Sequence, residues 1–290
     1  AEGSDGWPRF ELLRSFGGPT PGFADGPEMR FERPHGLCRS ENLLYVADSG
    51  NHALRRIDLE DGTATTLMGT GHPPVHTPRG RQPWSAPETI AVHTPIDIEV
   101  MSMKGEDLVY VALAGQHQLW VWAEGHSGRF AGNGALDHVD GPAVEASLAQ
   151  PSGVVTFGRY LLFIDSATHS LRAIDLQHHQ AVTVTGLGPD DHGDVDGHGE
   201  TVRMQYPTDL TFIGETLYVT DALNHKVKSV TLATIEVTTV AGGDDHAFAR
   251  PTGIDRIGRF LVVADSDNHR VRILDPASGE VRDLEWSEPS

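Results

Sequence analysis

Two aspartates and one histidine stand beside recurring prolines and could do chemistry there. Asp97 and Asp209 each lie two residues after a proline, where other units of the chain have Gly, and His35 directly follows Pro34. Carboxylates can hold a cation or a basic group, and an imidazole can act as a general base when a substrate proton lies within reach. These three are the candidate catalytic residues. Alternatively, the aspartates cap turns or bond backbone amides.

An acidic loop is a second candidate site. Residues 190–200 are dense in oxygen donors, and Asp194-Val195-Asp196-Gly197 superficially resembles part of a calcium loop. The Glu falls too early for the twelve-residue EF-hand spacing, and no helices flank the loop. We interpret the loop as a solvated turn, with calcium binding through Asp194 and Asp196 as the alternative.

These residues lie within an internal repeat. Units aligned on Pro-x-Gly/Asp begin near residues 34, 95, 151, 207 and 251. An Asp follows fourteen residues after the proline in every unit except the second, which has Leu113 and a four-residue insertion near Gly105. A His follows four residues later in all five units, namely His52, His117, His169, His225 and His269. Five histidines at one offset indicate a structural role, such as a bond to the backbone of a neighbouring strand.

Each unit is predicted to form four short strands. In the first unit Leu43–Ala47, Ala53–Ile57 and Thr63–Met68 follow the strand that begins at Pro34, and Gly, Asp and Asn separate them. Repeats of this spacing are typical of propeller blades. We therefore predict an all-β propeller, one domain over residues 1–290. It has five complete four-stranded repeats and an orphan strand, Phe10–Phe16, within the N-terminal segment 1–33.

The connections between units also repeat. Asp25-Gly26, Asp140-Gly141 and Asp196-Gly197 are each followed by an apolar residue that lies three positions before the next proline. We expect these segments to lead from the outer strand of one blade to the inner strand of the next, with the apolar residue filling the space between blades. The apolar anchors are Phe31, Leu148, Met204 and Phe248.

The segments 45–52 and 263–269 resemble NHL repeats, and the similarity covers nearly the whole chain. More narrowly, the sequence resembles the propeller portion of thioredoxin-like proteins that carry NHL repeats. That resemblance implies six blades, where counting gives five, and a thioredoxin-like domain upstream, which this sequence lacks. Cys38 is the only cysteine, so the redox Cys-x-x-Cys is absent as well. Either five blades close the ring and the orphan strand adds to an edge, or the chain is a fragment.

A propeller places ligands at its central channel, near the start of the inner strands. The predicted channel residues are Arg33, His35, Asp97, Tyr206, Asp209 and Arg250. His35 within Pro-His-Gly and His246 before Pro251 resemble ligand segments of the peptidyl-hydroxyglycine amidating lyases, which implies a zinc site at the channel. A catalytic zinc takes three protein ligands, and no third ligand is evident.

The composition excludes some partners. The net charge is −19, so phosphate backbones and anionic membranes are disfavoured, and no apolar run could form a transmembrane helix. The family resemblance favours a cytoplasmic location.

Two functions stay open. The first is a binding or scaffold module that presents loops and a channel to a protein or small ligand, and the second is a metal-assisted lyase or hydrolase at the channel, using zinc or calcium. The long connection from Gly69 to Thr94, with Trp84, is a candidate contact surface.

Overall fold

Short segments separated by Gly, Asp and Asn become β-strands in the computed structural model of the protein, which describes residues 6–76, 90–103, 105–243 and 247–287. Twenty of the strands form five blades of four, each strand antiparallel to the next in chain order, and one short strand from the preceding connection extends the sheets of the third and fourth blades. The prediction of five four-stranded repeats is therefore confirmed. Blade 1 has its inner strand first, and every later blade follows the same order.

The strands begin with β1 (Phe10–Glu11). Blade 1 contains β2 (Pro34–Ser40), β3 (Leu43–Asp48), β4 (Ala53–Asp58) and β5 (Ala64–Met68). Blade 2 contains β6 (Pro95–Met103), β7 (Glu106–Leu113), β8 (Gln118–Ala123) and β9 (His126–Ala131). After β10 (Gly141–Pro142), blade 3 contains β11 (Pro151–Phe157), β12 (Tyr160–Asp165), β13 (Ser170–Asp175) and β14 (Gln180–Thr185).

After β15 (Gly197–His198), blade 4 contains β16 (Pro207–Ile213), β17 (Thr216–Asp221), β18 (Lys226–Thr231) and β19 (Glu236–Gly242). Blade 5 contains β20 (Pro251–Ile257), β21 (Phe260–Asp265), β22 (Arg270–Asp275) and β23 (Glu280–Asp283), and β24 (Trp286–Ser287) follows it. Single-turn 3₁₀ helices lie at Ser49–Asn51, Ala114–Gln116, Ser166–Thr168, Gly199–Thr201, Ala222–Asn224 and Ser266–Asn268.

The connections into blades 3 and 4 each add a short strand to the outer edge of the blade they lead into. β10 pairs with β14, and β15 pairs with β19. The first connection makes only an isolated bridge, from Gly26 to Ala64. The anchors Leu148, Met204 and Phe248 are buried between consecutive blades, as the sequence predicts. Phe31 is only partly buried, against blade 1 alone.

Four hydrophobic clusters join consecutive blades. The first joins blades 1 and 2 around Leu54 and Trp120, and the second joins blades 2 and 3 around Leu119 and Phe163. Two further clusters join blade 3 to blade 4 and blade 4 to blade 5. Within the described ranges no cluster joins blade 5 to blade 1. The side between these two blades is called the open side below.

The orphan strand is shorter than predicted. The sequence predicts a strand over Phe10–Phe16, but only Phe10 and Glu11 pair, in parallel with β24 next to blade 5. Beyond that point Arg14 donates to the Leu59 carbonyl at 3.0 Å, and Phe16 packs on blade 1. The segment crosses from blade 5 to blade 1, so it cannot follow the edge of either sheet for long.

Candidate ligand-binding channel

Residues near the start of all five inner strands line one central cavity of about 610 Å³. The prolines begin these strands, and the lining residues of each strand lie one to five positions after its proline. Among the predicted channel residues, His35, Asp97 and Asp209 line the cavity. Arg33, Tyr206 and Arg250 do not line it. They lie directly before the prolines at the channel mouth, each with a positive φ between 45° and 53°.

Each channel aspartate accepts a backbone amide from the next blade. Asp97 Oδ2 accepts from the Val154 amide at 2.9 Å. Asp209 Oδ2 accepts from the Ile254 amide at 2.8 Å, and its Oδ1 accepts from the Leu210 amide at 2.8 Å. Both carboxyls therefore accept hydrogen bonds from the backbone of the neighbouring blade. Bonding of backbone amides was one of the two interpretations of these aspartates, and cation binding was the other.

Burial perturbs the ionisation of these carboxyls. It raises the pKa of Asp97 to about 7, and the nearby charges of Glu99 and Asp255 add to the rise. Burial also raises the pKa of Asp209 well above its usual range, and the Asp97 carboxyl is the next largest cause.

Two further carboxyls in the cavity, Glu99 and Asp255, were not among the predicted site residues. Glu99 Oε1 accepts from the Thr156 amide at 2.8 Å and from the Thr156 hydroxyl. Asp255 accepts from the Thr211 hydroxyl at 3.3 Å. Glu99 lies two positions after Asp97, and Asp255 lies two positions after Gly253. Side chains two positions apart share one face of a strand, so both carboxyls lie on the channel side. No ion pair neutralises any of the four carboxyls within the part of the chain that the structure describes.

His35 and Cys38 lie on β2 beside these carboxyls. Burial, with the Arg33 charge as a second cause, lowers the pKa of His35. Burial raises the pKa of the Cys38 thiol to about 12, and the Glu99 carboxylate adds to the rise. The thiol therefore stays protonated, which suits a small apolar residue and not a nucleophile.

Of the predicted metal ligands, Asp194 and Asp196 lie together, and both bind the ammonium group of Lys228. Asp194 accepts from Lys226 and Lys228, the latter at 2.9 Å, and Asp196 accepts from Lys228 at 2.7 Å. These ion pairs lower the pKa values of both aspartates against the opposing effect of burial. His246 lies outside the described residues, as does Trp84. Among the residues that are described, no group of three His, Cys, Asp or Glu side chains could hold a metal ion.

The repeated histidines join consecutive blades. In four of the five repeats the imidazole Nδ1 accepts a hydrogen bond from the backbone amide of the residue that precedes the next proline. The donors are Thr94 to His52 at 3.1 Å, Gln150 to His117 at 3.3 Å, Tyr206 to His169 at 3.0 Å and Arg250 to His225 at 2.9 Å. We call these contacts the interblade histidine bonds. His269 makes no such bond with Arg33, the residue before the first proline, because blades 5 and 1 are not joined.

The repeated aspartates hold the turns of their own blades together. Asp165 accepts a hydrogen bond from the Ala149 amide at 2.6 Å and forms an ion pair with Arg172 at 2.8 Å. Arg172 also binds Asp140 of the connection between blades 2 and 3, at 2.8 Å. In blade 2, where Leu113 replaces the Asp, Gln116 accepts the equivalent amide, that of His93, at 2.9 Å.

The open side leaves apolar side chains uncovered beside the cavity. Leu37 of blade 1 is 58% exposed, and Val271 of blade 5 is 38% exposed. Val262, Ala264 and Val271 of blade 5 line the same cavity as Leu37. The outer part of this side is covered by the N-terminal segment, with Trp7 on blade 5 and Phe16 on blade 1. The channel is thus continuous with an apolar opening between the two blades.

Comparison with known families supports the repeat assignment. The NHL repeat model matches residues 31–57. The chain is similar to NHL repeat-containing protein 2 of Homo sapiens, with 31% identity over 82% of this chain and 37% of that protein. It is also similar to Protein SUPPRESSOR OF QUENCHING 1, chloroplastic, of Arabidopsis thaliana, with 36% identity over 76% of this chain and 22% of that protein. The chain thus spans less than two fifths of the length of each of these relatives.

Solved structures share the fold at low sequence identity. The chain aligns with a chain of the nidogen/laminin complex at a TM-score of 0.63 and 14% identity, over 89% of this chain and 81% of the other. It aligns with streptogramin B lyase at a TM-score of 0.56 and 13% identity, over 93% and 76%. Within the described ranges, no helix is long and apolar enough to cross a membrane.

Proposed function

The chain is an NHL-repeat β-propeller, and from this premise we propose that it is a protein-binding module whose partner docks at the open side of the ring. One observation supports this proposal. Four hydrophobic clusters join the other pairs of neighbouring blades, whereas the described residues form no such cluster between blades 5 and 1. Exposed Leu37 and Val271 then flank an opening that leads into a cavity of about 610 Å³. Apolar surface beside a concave site favours association with another protein.

The channel would add specificity to this contact. Asp97, Glu99, Asp209 and Asp255 line the cavity without an ion-paired cation among the described residues. A basic side chain of the partner, or a small cationic ligand, would meet carboxyl oxygens there. Charge complementarity of this kind sets the choice of partner more than the affinity.

The metal-assisted lyase or hydrolase stays an alternative prediction. Its candidate residues are His35 and the two channel aspartates. Elemental analysis of the purified protein distinguishes the two functions, since stoichiometric zinc or calcium that is lost in His35→Ala or Asp209→Ala would favour the enzyme. An upstream thioredoxin-like domain in a longer parent protein also stays a prediction, and such a domain would be one kind of partner.

Site-specific photo-crosslinking tests the proposed function. A photoreactive amino acid is placed at Leu37 or at Val271, and the protein is incubated with an extract of its source cells. We expect both positions to capture the same partner. Val139, which is 46% exposed on the connection before blade 3, serves as the matched control. Capture from Val139 as strong as from the other two positions, or no capture at all, would contradict a docking site at the open side.

A further inference from the structure

A groove on the outer part of the ring lies between blades 4 and 5. Blade 4 lines one side of it with three adjacent strands, on which Tyr218 pairs with Ser229 and Ser229 pairs with Thr238. The turn Pro276–Gly279, between the last two strands of blade 5, lines the other side. The groove has a volume of about 330 Å³, which is at the lower end of the usual range for small-molecule sites.

Hydroxyl groups dominate the lining of this groove. No charged side chain is among the described residues that line it, although 22% of the chain consists of Asp, Glu, Lys and Arg. The hydroxyl-bearing residues along its walls include Thr216, Tyr218, Ser229, Thr238 and Ser278.

Several of these hydroxyls are free to bind a ligand. Within the described ranges, no residue forms a hydrogen bond with the hydroxyl of Thr216 or of Tyr218. The Ser229 and Thr238 hydroxyls bond each other at 2.8 Å, which leaves one of their two hydrogens available. Burial raises the pKa of Tyr218, so its hydroxyl keeps its proton at neutral pH.

The equivalent space between blades 3 and 4 is filled by apolar side chains. There Leu162 and Ala173 pair with each other in the places that Tyr218 and Ser229 hold in blade 4. Both are buried, and Leu232 of the facing turn packs against the same cluster. This boundary therefore has no hydroxyl-lined groove of the same kind.

Between blades 2 and 3, aromatic rings cover the equivalent tyrosine. Tyr110 holds the place of Tyr218 but is only 4% exposed. Phe130 lies edge-on to Tyr110, with ring centroids 5.0 Å apart, and His179 of the facing turn packs against Phe130. The turn of the next blade thus decides whether the space is covered.

A glycine leaves the groove between blades 4 and 5 uncovered. Gly279 takes the turn position that His179 and Ile235 take at the other two boundaries, and all three residues have a positive φ. A Cβ on Gly279 would lie 3.1 Å from the Val240 carbonyl oxygen, and both residues line the groove. A larger side chain at this position would therefore take up space in the groove.

Such a lining suits a neutral ligand that carries many hydroxyl groups. A hydroxyl both donates and accepts, so Ser and Thr side chains can bond a ligand hydroxyl in either direction. An ionic ligand would find no opposite charge in the lining. The tyrosine ring offers an apolar surface beside its polar hydroxyl, which suits the C–H face of a sugar ring.

We propose that the groove between blades 4 and 5 binds a neutral sugar unit of an oligosaccharide. The free hydroxyls of the groove bond those of the sugar, and the space beside Gly279 holds the sugar ring against Tyr218. This site is separate from the open side and from the channel. It therefore adds a class of ligand to the proposed binding of a protein and does not depend on that proposal.

Nuclear magnetic resonance titration of the isotope-labelled protein tests the site. The probes are four neutral disaccharides, namely maltose, cellobiose, lactose and sucrose. We expect at least one of them to bind with a Kd of about 1–10 mM, as a few neutral hydrogen bonds allow, and to shift the backbone amides of Tyr218, Thr238 and Gly279. If no disaccharide shifts these amides at about 50 mM, the sugar site is overturned.

Three variants then locate the bound sugar. Thr238→Val keeps the shape of the side chain and removes its hydroxyl, so binding should weaken about fivefold. Gly279→His supplies the side chain that blade 3 has at His179, and should weaken binding at least tenfold by filling the groove. Thr65→Val is the matched control, because Thr65 holds the place of Thr238 in blade 1, and it should leave binding unchanged. Unchanged binding in the first two variants, or equal weakening in all three, would overturn the assignment, and thermal denaturation checks that each variant is folded.

Discussion

The imidazole Nδ1 of His169 accepts the backbone amide of Tyr206 at 3.0 Å, and this bond ties blade 3 to blade 4. Nδ1 can accept only while the ring is neutral with its proton on Nε2. Burial, with the nearby His192 ring as a second cause, lowers the pKa of His169 and so favours that neutral form. Tyr206 has a positive φ of 53°, and the bond to His169 helps to hold this uncommon conformation.

Removing an interblade histidine bond should destabilise the propeller. His169→Ala leaves the Tyr206 amide without its acceptor between two blades, so we expect a loss of about 1–2 kcal/mol in the free energy of unfolding. Urea denaturation at pH 7.5 measures it. His269→Ala is the matched control, since His269 occupies the same place in its repeat without the interblade bond. Equal losses in the two variants would show that the bond contributes nothing.

The pH dependence of stability should reveal the buried Asp97 carboxyl. Its folded-state pKa of about 7 lies above the unfolded value near 4, so the folded state binds a proton between these values. The contribution of Asp97 to stability is therefore fully present below pH 4 and is lost as the pH rises through 7. In Asp97→Asn this dependence is absent, while the amide oxygen can still accept the Val154 amide. We therefore expect the free energy of unfolding of the variant, relative to that of the natural protein, to rise by about 2 kcal/mol from pH 5 to pH 8.

Urea denaturation of both proteins across this pH range measures the effect. The interblade histidines contribute with the opposite sign, because burial lowers the pKa values of His52, His117 and His169 and their stabilisation is lost as the pH falls below about 6.5. They are present in both proteins and cancel in the comparison. Asp61→Asn is the control, since hydrogen bonds from Thr63 lower the pKa of that exposed carboxyl. A gain that did not depend on pH would refute a raised pKa at Asp97.

The repeat could be predicted from the sequence because its signals are local. The inner strands begin at the predicted prolines, and the histidines bond the backbone of the neighbouring blade, as expected from their constant offset. The open side could not be predicted this way, since it depends on contacts between the first and last blades. Phe10–Phe16 has strand-type residues, but its pairing is limited by the two sheets that it bridges. Gln116 replaces the missing repeat Asp from a different position in the turn, which an alignment by offset overlooks.

Breaking a buried ion pair should cost more than breaking an exposed one. Arg172 and Asp165 are both fully buried and lie 2.8 Å apart, and Arg172 also binds the Ser147 carbonyl at 2.8 Å. Arg172→Met removes these contacts and leaves the buried Asp165 carboxylate without its cation, so we expect a loss of about 3–5 kcal/mol in the free energy of unfolding. Chemical denaturation monitored by tryptophan fluorescence gives the value.

Arg159→Met is the matched control for that variant. Arg159 is half exposed and pairs with Asp175 at 3.0 Å, so its replacement should cost no more than about 1 kcal/mol. If both variants lost the same amount, the buried pair would have no special role in holding the connection between blades 2 and 3.

Two glycines at equivalent positions should respond differently to the same substitution. Gly153 packs against blade 4, and a Cβ there would lie 2.6 Å from Leu210 Cδ2 and 2.7 Å from the Asp209 Cα, so Gly153→Ala must push two inner strands apart. We expect a loss of about 1–3 kcal/mol in the free energy of unfolding. Gly253→Ala meets ordinary contact distances because the open side begins there, so its stability should change by less than about 0.5 kcal/mol. Thermal and urea denaturation of the two variants measure the difference. A large loss in Gly253→Ala would mean that another element covers blade 5 in solution, and the open side would then not exist as a docking site.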